Sequence, residues 1–220
     1  LGWSDIDILV LTDSEITEQQ ATTLVGLRQT LTERYPNNPY FRLFEGGMLS
    51  SDAFLQDKKE RTVYWGTSGQ RITDSYKMDS FGMAELHDSG ILLYGNDIRG
   101  KMTYPSYSQM CNDIARHAQA AQKYGNSVGW LLDIARGIYT LRTGKIIPKT
   151  AVGEWALQER LCPDADILRK TIQIRKKPLS YSKEDRSVDN TVIQRFADVL
   201  EKELKRKTRC HVSTYRDNKK

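Results

Sequence analysis

Apolar and polar residues alternate at the start of the chain and then give way to a helical repeat. Residues 6–11 are aliphatic or β-branched apart from one aspartate, which predicts a buried or half-buried strand. Thr12 and Glu15 have the spacing of a capping box, and the apolar residues that follow predict a helix over residues 14–35. Further strands are predicted at residues 40–44, 62–65 and 91–94. The first part of the chain should therefore be a mixed sheet with helices.

The pattern changes from about Tyr104 onward, where apolar residues recur only at helical spacing. Between the two patterns, residues 95–105 are rich in Gly, Asn, Asp and Pro, which is typical of a domain boundary. We therefore predict an α+β fold: a mixed-sheet domain over residues 1–100, an all-α helical bundle over residues 101–210 and a basic tail over residues 211–220. The predicted helices of the bundle cover residues 106–123, 126–142, 149–160, 164–176 and 188–208.

The composition is that of a soluble globular protein. Hydrophobic residues make up 39% of the chain and charged residues 28%, and no apolar run approaches the roughly 20 residues that span a bilayer. The cysteines, Cys111, Cys162 and Cys210, lie far apart without a Cys-x-x-Cys motif, which argues against a disulfide framework or a zinc site. We therefore predict a protein of the reducing cytoplasm.

The net charge of +5 comes from the end of the chain. Residues 202–220 contain eight Lys or Arg and two acidic residues, so the rest of the chain is close to neutral. A solvated, basic helix end explains this pattern, and an RNA- or phosphate-binding tail is the alternative. Nucleic acid is therefore not the partner that the sequence favours.

Two aspartates stand at the entrance of the first predicted strand. Successive side chains of a strand point to opposite faces, so Asp5 and Asp7 share one face. Two carboxylates about 7 Å apart repel by roughly 2 kcal/mol at an effective dielectric of about 20, and a divalent cation removes this repulsion. Magnesium prefers oxygen ligands together with substrate phosphates. The pair therefore predicts a magnesium site, with solvated strand-end residues as the alternative.

The motif around these aspartates resembles a known signature. GWSDID, residues 2–7, is similar to the second half of the Gly-Ser…Ser-Asp-hydrophobic-Asp motif of the DNA polymerase β-type nucleotidyltransferases. The resemblance implies that Asp5 and Asp7 bind the metal and that Ser4 supports the nucleotide phosphates. The Gly-Ser pair of the family would fall before Leu1, so the chain is predicted to be truncated at its N-terminus.

A third carboxylate is predicted to join the two aspartates. In the stretch PYFRLFEGG, strand alternation places Phe41, Leu43 and Glu45 on one face, and the interval after Asp7 leaves room for one helix and a return strand. The resembled enzymes carry a third acid on a neighbouring strand, which helps to hold the metal and acts as general base on the acceptor hydroxyl. The resemblance therefore implies both roles for Glu45. A solvated glutamate before Gly-Gly is the alternative.

A second resemblance lies in the helical part of the chain. Residues 139–159, YTLRTGKIIPKTAVGEWALQE, resemble a helix-loop-helix stretch in the C-terminal domain of the aminoglycoside adenylyltransferases, the streptomycin and spectinomycin enzymes. Gly144 should end one helix and Pro148 should open the next, which presents Lys145 and Lys149 at the junction. The resemblance implies that Lys149, with Lys145 as a second candidate, contacts the ATP phosphates. Two lysines on a solvated loop are the alternative.

Two further residues fit the family less closely. Asp79 lies near a family acid that contacts the nucleotide, and a role as a helix N-cap is the stronger alternative. Arg136 fits a family arginine on the helix that faces the cleft, and an intrahelical ion pair explains it equally well. The resemblance as a whole covers residues 2 to about 176.

The acceptor is defined least by the sequence. A cationic aminoglycoside favours aromatic faces and carboxylates, and the candidate residues for binding it are Tyr124, Asn126, Trp130 and Asp133. Streptomycin-modifying members carry a Trp and an acid just before this helix, whereas residues 122–126 of this chain read QKYGN. Streptomycin is therefore not the expected acceptor.

These features predict a magnesium-dependent nucleotidyltransferase that moves AMP from ATP to a hydroxyl of an aminoglycoside-like small molecule, an antibiotic-resistance activity. ATP, magnesium and acceptor are expected to meet in a cleft between the two domains of a monomer or weak dimer. The alternatives are a noncatalytic nucleotide-binding relic of the family and a nucleotidyltransferase that acts on protein or RNA.

Overall fold

The computed structural model describes residues 5–38, 40–66, 69–182 and 184–217, with side chains described up to residue 207. The chain forms two compact units. The first consists of the residues up to Met78 together with Tyr94–Met102, and the second of Asp79–Leu93 together with the residues from Thr103 onward. The predicted α+β fold, a mixed sheet with helices followed by a helical region, is confirmed. Residues 79–93 pack with the second unit, whereas the predicted boundary placed them in the first.

The first unit is built on a four-stranded mixed sheet in the order β1-β2-β3-β4. β1 pairs with β2 in parallel, and the pairings of β2 with β3 and of β3 with β4 are antiparallel. The predicted strands at residues 6–11 and 62–65 are confirmed. The strands are β1 (Ile6–Thr12), β2 (Phe44–Ser50), β3 (Thr62–Gly66) and β4 (Gly69–Thr73).

The first helix begins later than the sequence predicts. The capping box is formed by Thr17 and Gln20, and α1 runs over Glu18–Arg34. The predicted box at Thr12 and Glu15 is wrong, because the Thr12 hydroxyl instead shares its hydrogen between the carbonyl oxygens of Ser14 (2.7 Å) and Leu49 (3.2 Å). These bonds close the end of β1 before the helix starts.

Two predicted strands are wrong, and one strand was missed. Tyr40–Leu43 forms a single helical turn, α2, and β2 starts only at Phe44. Residues 91–94 have no regular secondary structure, and Ile91, Leu93 and Tyr94 are highly exposed. The fourth strand is Gly69–Thr73, a short edge strand whose sequence GQRIT lacks an apolar alternation. A further short helix, α3 (Ser51–Gln56), follows β2 directly.

The core of the first unit lies between the sheet and α1. Met48 of β2 and Val63 and Trp65 of β3 are buried there. Ile16, just before α1, and Ala21, in its first turn, pack against them. Ile8 of β1 and the α1 residues Leu24 and Val25 pack against this cluster. One face of the sheet is therefore covered by α1.

The second unit is helical, as predicted. It also contains α4, whose N-cap is Asp79, as one reading of the sequence predicted, and α9 continues through Asp217 into the predicted basic tail. Gly144 ends α6 with φ +71°, and Pro148 is the N-cap of α7, as the sequence predicted. The helices are α4 (Ser80–Ser89), α5 (Tyr107–Tyr124), α6 (Gly129–Thr143), α7 (Lys149–Gln158), α8 (Ala165–Lys176) and α9 (Asn190–Asp217).

A single apolar core holds the second unit together. Leu131, Leu132 and Ile138 of α6 are fully buried in it, and α9 contributes Phe196 and Leu200. In the part of the chain that the structure describes, no helix is both long and apolar enough to cross a bilayer.

Gly46 allows β1 and β2 to approach each other closely. Its φ is +153°, and a Cβ atom added there would lie 1.7 Å from the carbonyl oxygen of Ile8 on the neighbouring strand. A side chain at this position would therefore push the two strands apart and would also strain the backbone.

We expect Gly46→Ala to lower the free energy of unfolding by about 2–4 kcal/mol, since it combines a backbone clash with an unfavourable φ. Gly26→Ala is the matched control: Gly26 is exposed on α1 with no atom within 4 Å of the added Cβ, so this variant should gain about 0.5–1 kcal/mol. Urea denaturation of both variants measures the difference. Equal stability would contradict the importance of the close strand approach.

Candidate functional site

The pairing of β1 with β2 brings three carboxylates to one face of the sheet. Asp7 is the register partner of Glu45, and side chains in register on paired strands point to the same face. Asp5 lies just before β1, close enough to share a side-chain hydrogen bond with Glu45. Burial, the negative charges of Glu45 and Asp7 and this hydrogen bond raise the pKa of Asp5 above its ordinary value. The structure therefore brings together the three acids that the sequence singled out.

Tyr64 of β3 orients Glu45. Its phenolic hydroxyl donates a hydrogen bond to Glu45 Oε1. Burial, and then the hydrogen bond to Glu45, raises the pKa of Tyr64 to about 12, so the phenol stays protonated at neutral pH. This role is not evident from the sequence, although the position of Tyr64 between the buried Val63 and Trp65 places it on the opposite face of the strand.

Arg28 of α1 is a buried cation that interacts electrostatically with Glu45 and Asp5. Its role is likewise not evident from the sequence. Only 4% of it is exposed, and its guanidinium donates hydrogen bonds to the carbonyl oxygens of Phe41 (3.2 Å), Arg42 (3.0 Å) and Gly66 (2.7 Å). Burial lowers the pKa of Arg28, whereas the charges of Glu45, Tyr64 and Asp5 act in the opposite direction. An arginine four residues after the packed Leu24 on α1 is the signal that could have revealed it.

The carboxylate cluster fits magnesium by its chemistry. It offers oxygen ligands only, and magnesium usually binds one or two protein carboxylates and takes its other ligands from water and substrate phosphates. Among the side chains that the structure describes, no group of three or more His, Cys, Asp or Glu is arranged so that it could hold a metal ion by itself. A magnesium ion here would therefore take one or two of the carboxylates and complete its shell with water and phosphate oxygens. Ser4, the predicted phosphate contact, lies outside the described residues.

Two cations meet around one carboxylate in the second unit. Asp133 Oδ1 of α6 lies 2.7 Å from Lys149 Nζ at the start of α7 and 3.5 Å from Arg136 Nη2 one turn further along α6. Arg136 Nη1 also contacts Glu85 Oε1 at 2.8 Å, and its guanidinium carbon lies 4.9 Å from the centre of the Phe81 ring. Arg136 is therefore held by an intrahelical pair, as one reading of the sequence predicted, and by α4 as well.

Asp79 acts as a helix cap and an ion-pair partner. It is the N-cap of α4, where its Oδ1 accepts a hydrogen bond from the backbone N–H of Gly82 (2.8 Å), and its Oδ2 lies 3.4 Å from His117 Nε2. Burial alone would raise the pKa of Asp79, but the hydrogen bonds from His117 and Gly82 lower it overall. A pocket in this unit is lined in part by Phe81, His117, Asp133 and Arg136.

The remaining predicted site residues do not gather around Asp133. Tyr124 ends α5 with 61% of its surface exposed, and Lys123 Nζ lies 4.9 Å from its ring centre. The backbone carbonyl of Asn126 accepts a hydrogen bond from Val188 N (3.2 Å), and the Trp130 ring packs against the apolar core. Lys145 is exposed on the loop after α6.

Comparison with known proteins shows similarity to one family and to solved structures. Residues 106–203 match the family model described as "Aminoglycoside adenylyltransferase, C-terminal domain". The structure is similar to that of spectinomycin adenyltransferase AAD(9) from Enterococcus faecialis with ATP and spectinomycin, with a TM-score of 0.61 over 91% of this chain and 85% of that chain. The two sequences are 16% identical, so this likeness shows a shared fold. No curated protein matches the sequence.

We expect Arg28→Lys to lower the free energy of unfolding by about 2–4 kcal/mol, because an ammonium cannot reach the three carbonyl oxygens that the planar guanidinium joins. Arg34→Lys, at the exposed end of the same helix, is the control and should change stability by less than about 0.5 kcal/mol. Thermal denaturation of the two variants tests this. A small effect at Arg28 would show that these carbonyls find other donors.

We expect His117→Gln to destabilise the protein more at acid than at alkaline pH. The hydrogen bond to Asp79 raises the pKa of His117, burial and the charge of Arg136 act against the rise, and Asp133 adds to it. A histidine whose pKa is raised in the folded state contributes its full stabilisation at pH values below its unfolded-state pKa of about 6.5. This contribution is lost as the pH rises through the folded-state pKa. Because His117 is half-exposed, the effect should be about 0.5 kcal/mol.

Denaturation curves of the wild type and His117→Gln at about pH 5.5 and about pH 8.5 bracket this titration. The difference in stability should be present at the lower pH and should disappear at the higher one. A difference that is the same at both values would mean that the ring acts by packing on Phe81 and not through its charge.

Proposed function

Because residues 106–203 match the family model of the aminoglycoside adenylyltransferase C-terminal domain, we propose that the chain transfers AMP from ATP to a hydroxyl group of an aminoglycoside-like acceptor. This match supports the predicted enzyme class, a nucleotidyltransferase. The shared fold with AAD(9), whose structure contains ATP and spectinomycin, supports ATP as the co-substrate and an aminoglycoside-like acceptor.

The observation that carries this proposal is the placement of Glu45 in register with Asp7 and in hydrogen-bond contact with Asp5. In the proposed reaction, Glu45 accepts the proton of the acceptor hydroxyl. The hydroxyl oxygen then forms a bond to the α-phosphorus of ATP, and the bond to pyrophosphate breaks. Tyr64 donates a hydrogen bond to one Glu45 oxygen, which fixes the orientation of the carboxylate.

Asp5 and Asp7, with Glu45, would hold magnesium in this proposal. When bound, the ion neutralises the negative charge that the carboxylates and the nucleotide phosphates share. Arg28 compensates part of the same charge from inside the unit, but its hydrogen-bond donors are directed at three backbone carbonyls. Because only 4% of Arg28 is exposed, we propose that other cations contact the phosphates.

In the second unit, we propose that Lys149 and Arg136 bind the phosphates of the nucleotide, with Lys145 as a further cation on the loop before α7. Asp79 is engaged by the N-terminus of α4 and by His117, so we propose that it positions α4 and does not contact the nucleotide directly. Tyr124 and Asn126 remain the candidates for the acceptor, since Tyr124 presents an exposed aromatic face. Trp130 would support them from the core.

We expect Glu45→Gln to lower the rate of AMP transfer by about 10²- to 10⁴-fold, because the amide cannot accept the proton of the acceptor hydroxyl. The measurement is the incorporation of labelled AMP from ATP into spectinomycin and related acceptors, with magnesium and with a chelator. Glu33→Gln, on the exposed face of α1, is the control with the same chemical change and should retain full activity.

Three outcomes separate this proposal from its alternatives. A near-normal rate for Glu45→Gln would remove the general-base role. ATP binding without an adenylylated product from any hydroxylated acceptor would identify a noncatalytic relic of the family. AMP transfer to protein or RNA, with none to aminoglycosides, would keep the enzyme class and replace the acceptor.

A further inference from the structure

Asp133 stands at the centre of a group of cations in the second unit. Its carboxylate contacts Lys149 and Arg136 directly. Its charge also acts on Arg175 of α8, where burial lowers the pKa and Asp133 raises it, and on His117 of α5. Four basic side chains from four helices therefore share the field of one aspartate.

The Asp133 carboxylate lies in a partly buried position, where it can fix the orientation of Lys149 and Arg136. The side chains of Asp133, Lys149 and Arg136 are 21%, 29% and 12% exposed, so the three groups are largely shielded from water. Charges in such a setting interact more strongly than at the surface, where most ion pairs contribute little. Glu85, which holds the other edge of Arg136, is 48% exposed and lies closer to the solvent.

The contacts to Asp133 leave donors unused. An ammonium group has three N–H donors and a guanidinium has five. Among the described residues, Lys149 pairs with Asp133, and Arg136 pairs with Asp133 and Glu85 and lies against the Phe81 ring. These ion pairs use fewer N–H donors than the two cations have, so the proposed phosphate contacts do not require either cation to leave Asp133.

We propose that Asp133 is the counter-anion of Lys149 and Arg136. As a positioning residue it holds both cations in place, and its negative charge lowers their affinity for the phosphates of the nucleotide. This inference rests on the proposed function, in which these cations bind the nucleotide. The role differs from the acceptor contact that the sequence predicted for Asp133, because the carboxylate faces cations of its own chain.

The proposed role has a direct electrostatic consequence. A bound polyphosphate lies near the negative charge of Asp133 as well as near the two cations, so repulsion offsets part of the attraction. The same offset applies to the leaving pyrophosphate and favours its release. Removing the charge of Asp133 should therefore strengthen phosphate binding, whereas a purely structural role would weaken it.

The test uses inorganic tripolyphosphate as the probe and the full chain. We expect Asp133→Asn to bind tripolyphosphate about 3- to 10-fold more tightly than the wild type by titration calorimetry at low ionic strength. The inhibition constant of pyrophosphate in the AMP-transfer assay should fall by a similar factor. Asp133→Ser is a second variant without the charge, for use if the asparagine variant does not fold.

Asp166→Asn is the matched control. Asp166 also pairs with an arginine three residues later on a helix, Arg169, but it is 91% exposed, so its charge should be screened and tripolyphosphate binding should stay unchanged. The wild type, Asp133→Asn, Lys149→Gln and the double variant Asp133→Asn/Lys149→Gln together form a double-mutant cycle. If Asp133 acts on phosphate through the field around Lys149, the gain from Asp133→Asn should shrink when Lys149 is replaced.

The possible outcomes distinguish this inference from the proposed function. Unchanged or weaker tripolyphosphate binding by Asp133→Asn, or an equal gain in Asp166→Asn, overturns the counter-anion role even if the wild type transfers AMP. Tighter binding by Asp133→Asn alone supports the role. If the wild type then transfers no AMP to any acceptor, the failure belongs to the proposed reaction and not to Asp133.

Discussion

The parallel pairing of β1 with β2 is the constraint on which the carboxylate cluster depends. It places Asp7 beside Glu45, and the absence of a side chain at Gly46 lets the Ile8 carbonyl approach. The arrangement is costly by itself, because burial, together with the negative charges of Glu45 and Asp7, disfavours the ionised form of Asp5 and raises its pKa. The buried guanidinium of Arg28 and the Tyr64 hydroxyl offset part of this cost within the first unit.

Features set by local physics could be predicted from the sequence. β1 is a run of β-branched and aliphatic residues, and the helices of the second unit follow regular apolar spacing. The junction between α6 and α7 was also predictable, because Gly144 adopts a positive φ and Pro148 suits a helix start. The convergence of Asp5, Asp7 and Glu45 followed from the resemblance, although the alternation proposed for Phe41 and Leu43 was wrong.

Features set by tertiary contacts could not be predicted in this way. Tyr40–Leu43 is too short for an apolar pattern to separate a helical turn from a strand. β4 is recognisable only through its pairing with β3, since its own sequence is polar. Arg28 and Tyr64 are ordinary residues of a helix and a strand until the carbonyls and the Glu45 carboxylate around them are known. The role of Asp133 likewise depends on Lys149, which lies on another helix.

The two units carry complementary electrostatic arrangements. In the first, three carboxylates face one another and one buried cation compensates them incompletely. In the second, basic side chains collect around one central aspartate. The first arrangement favours a divalent cation and the second a polyanion, because each ligand supplies the charge that its unit lacks. A nucleoside triphosphate with its magnesium ion contains both. The proposed magnesium-dependent transfer from ATP would use both arrangements, whereas a binder of nucleic acid would be expected to carry a continuous basic surface.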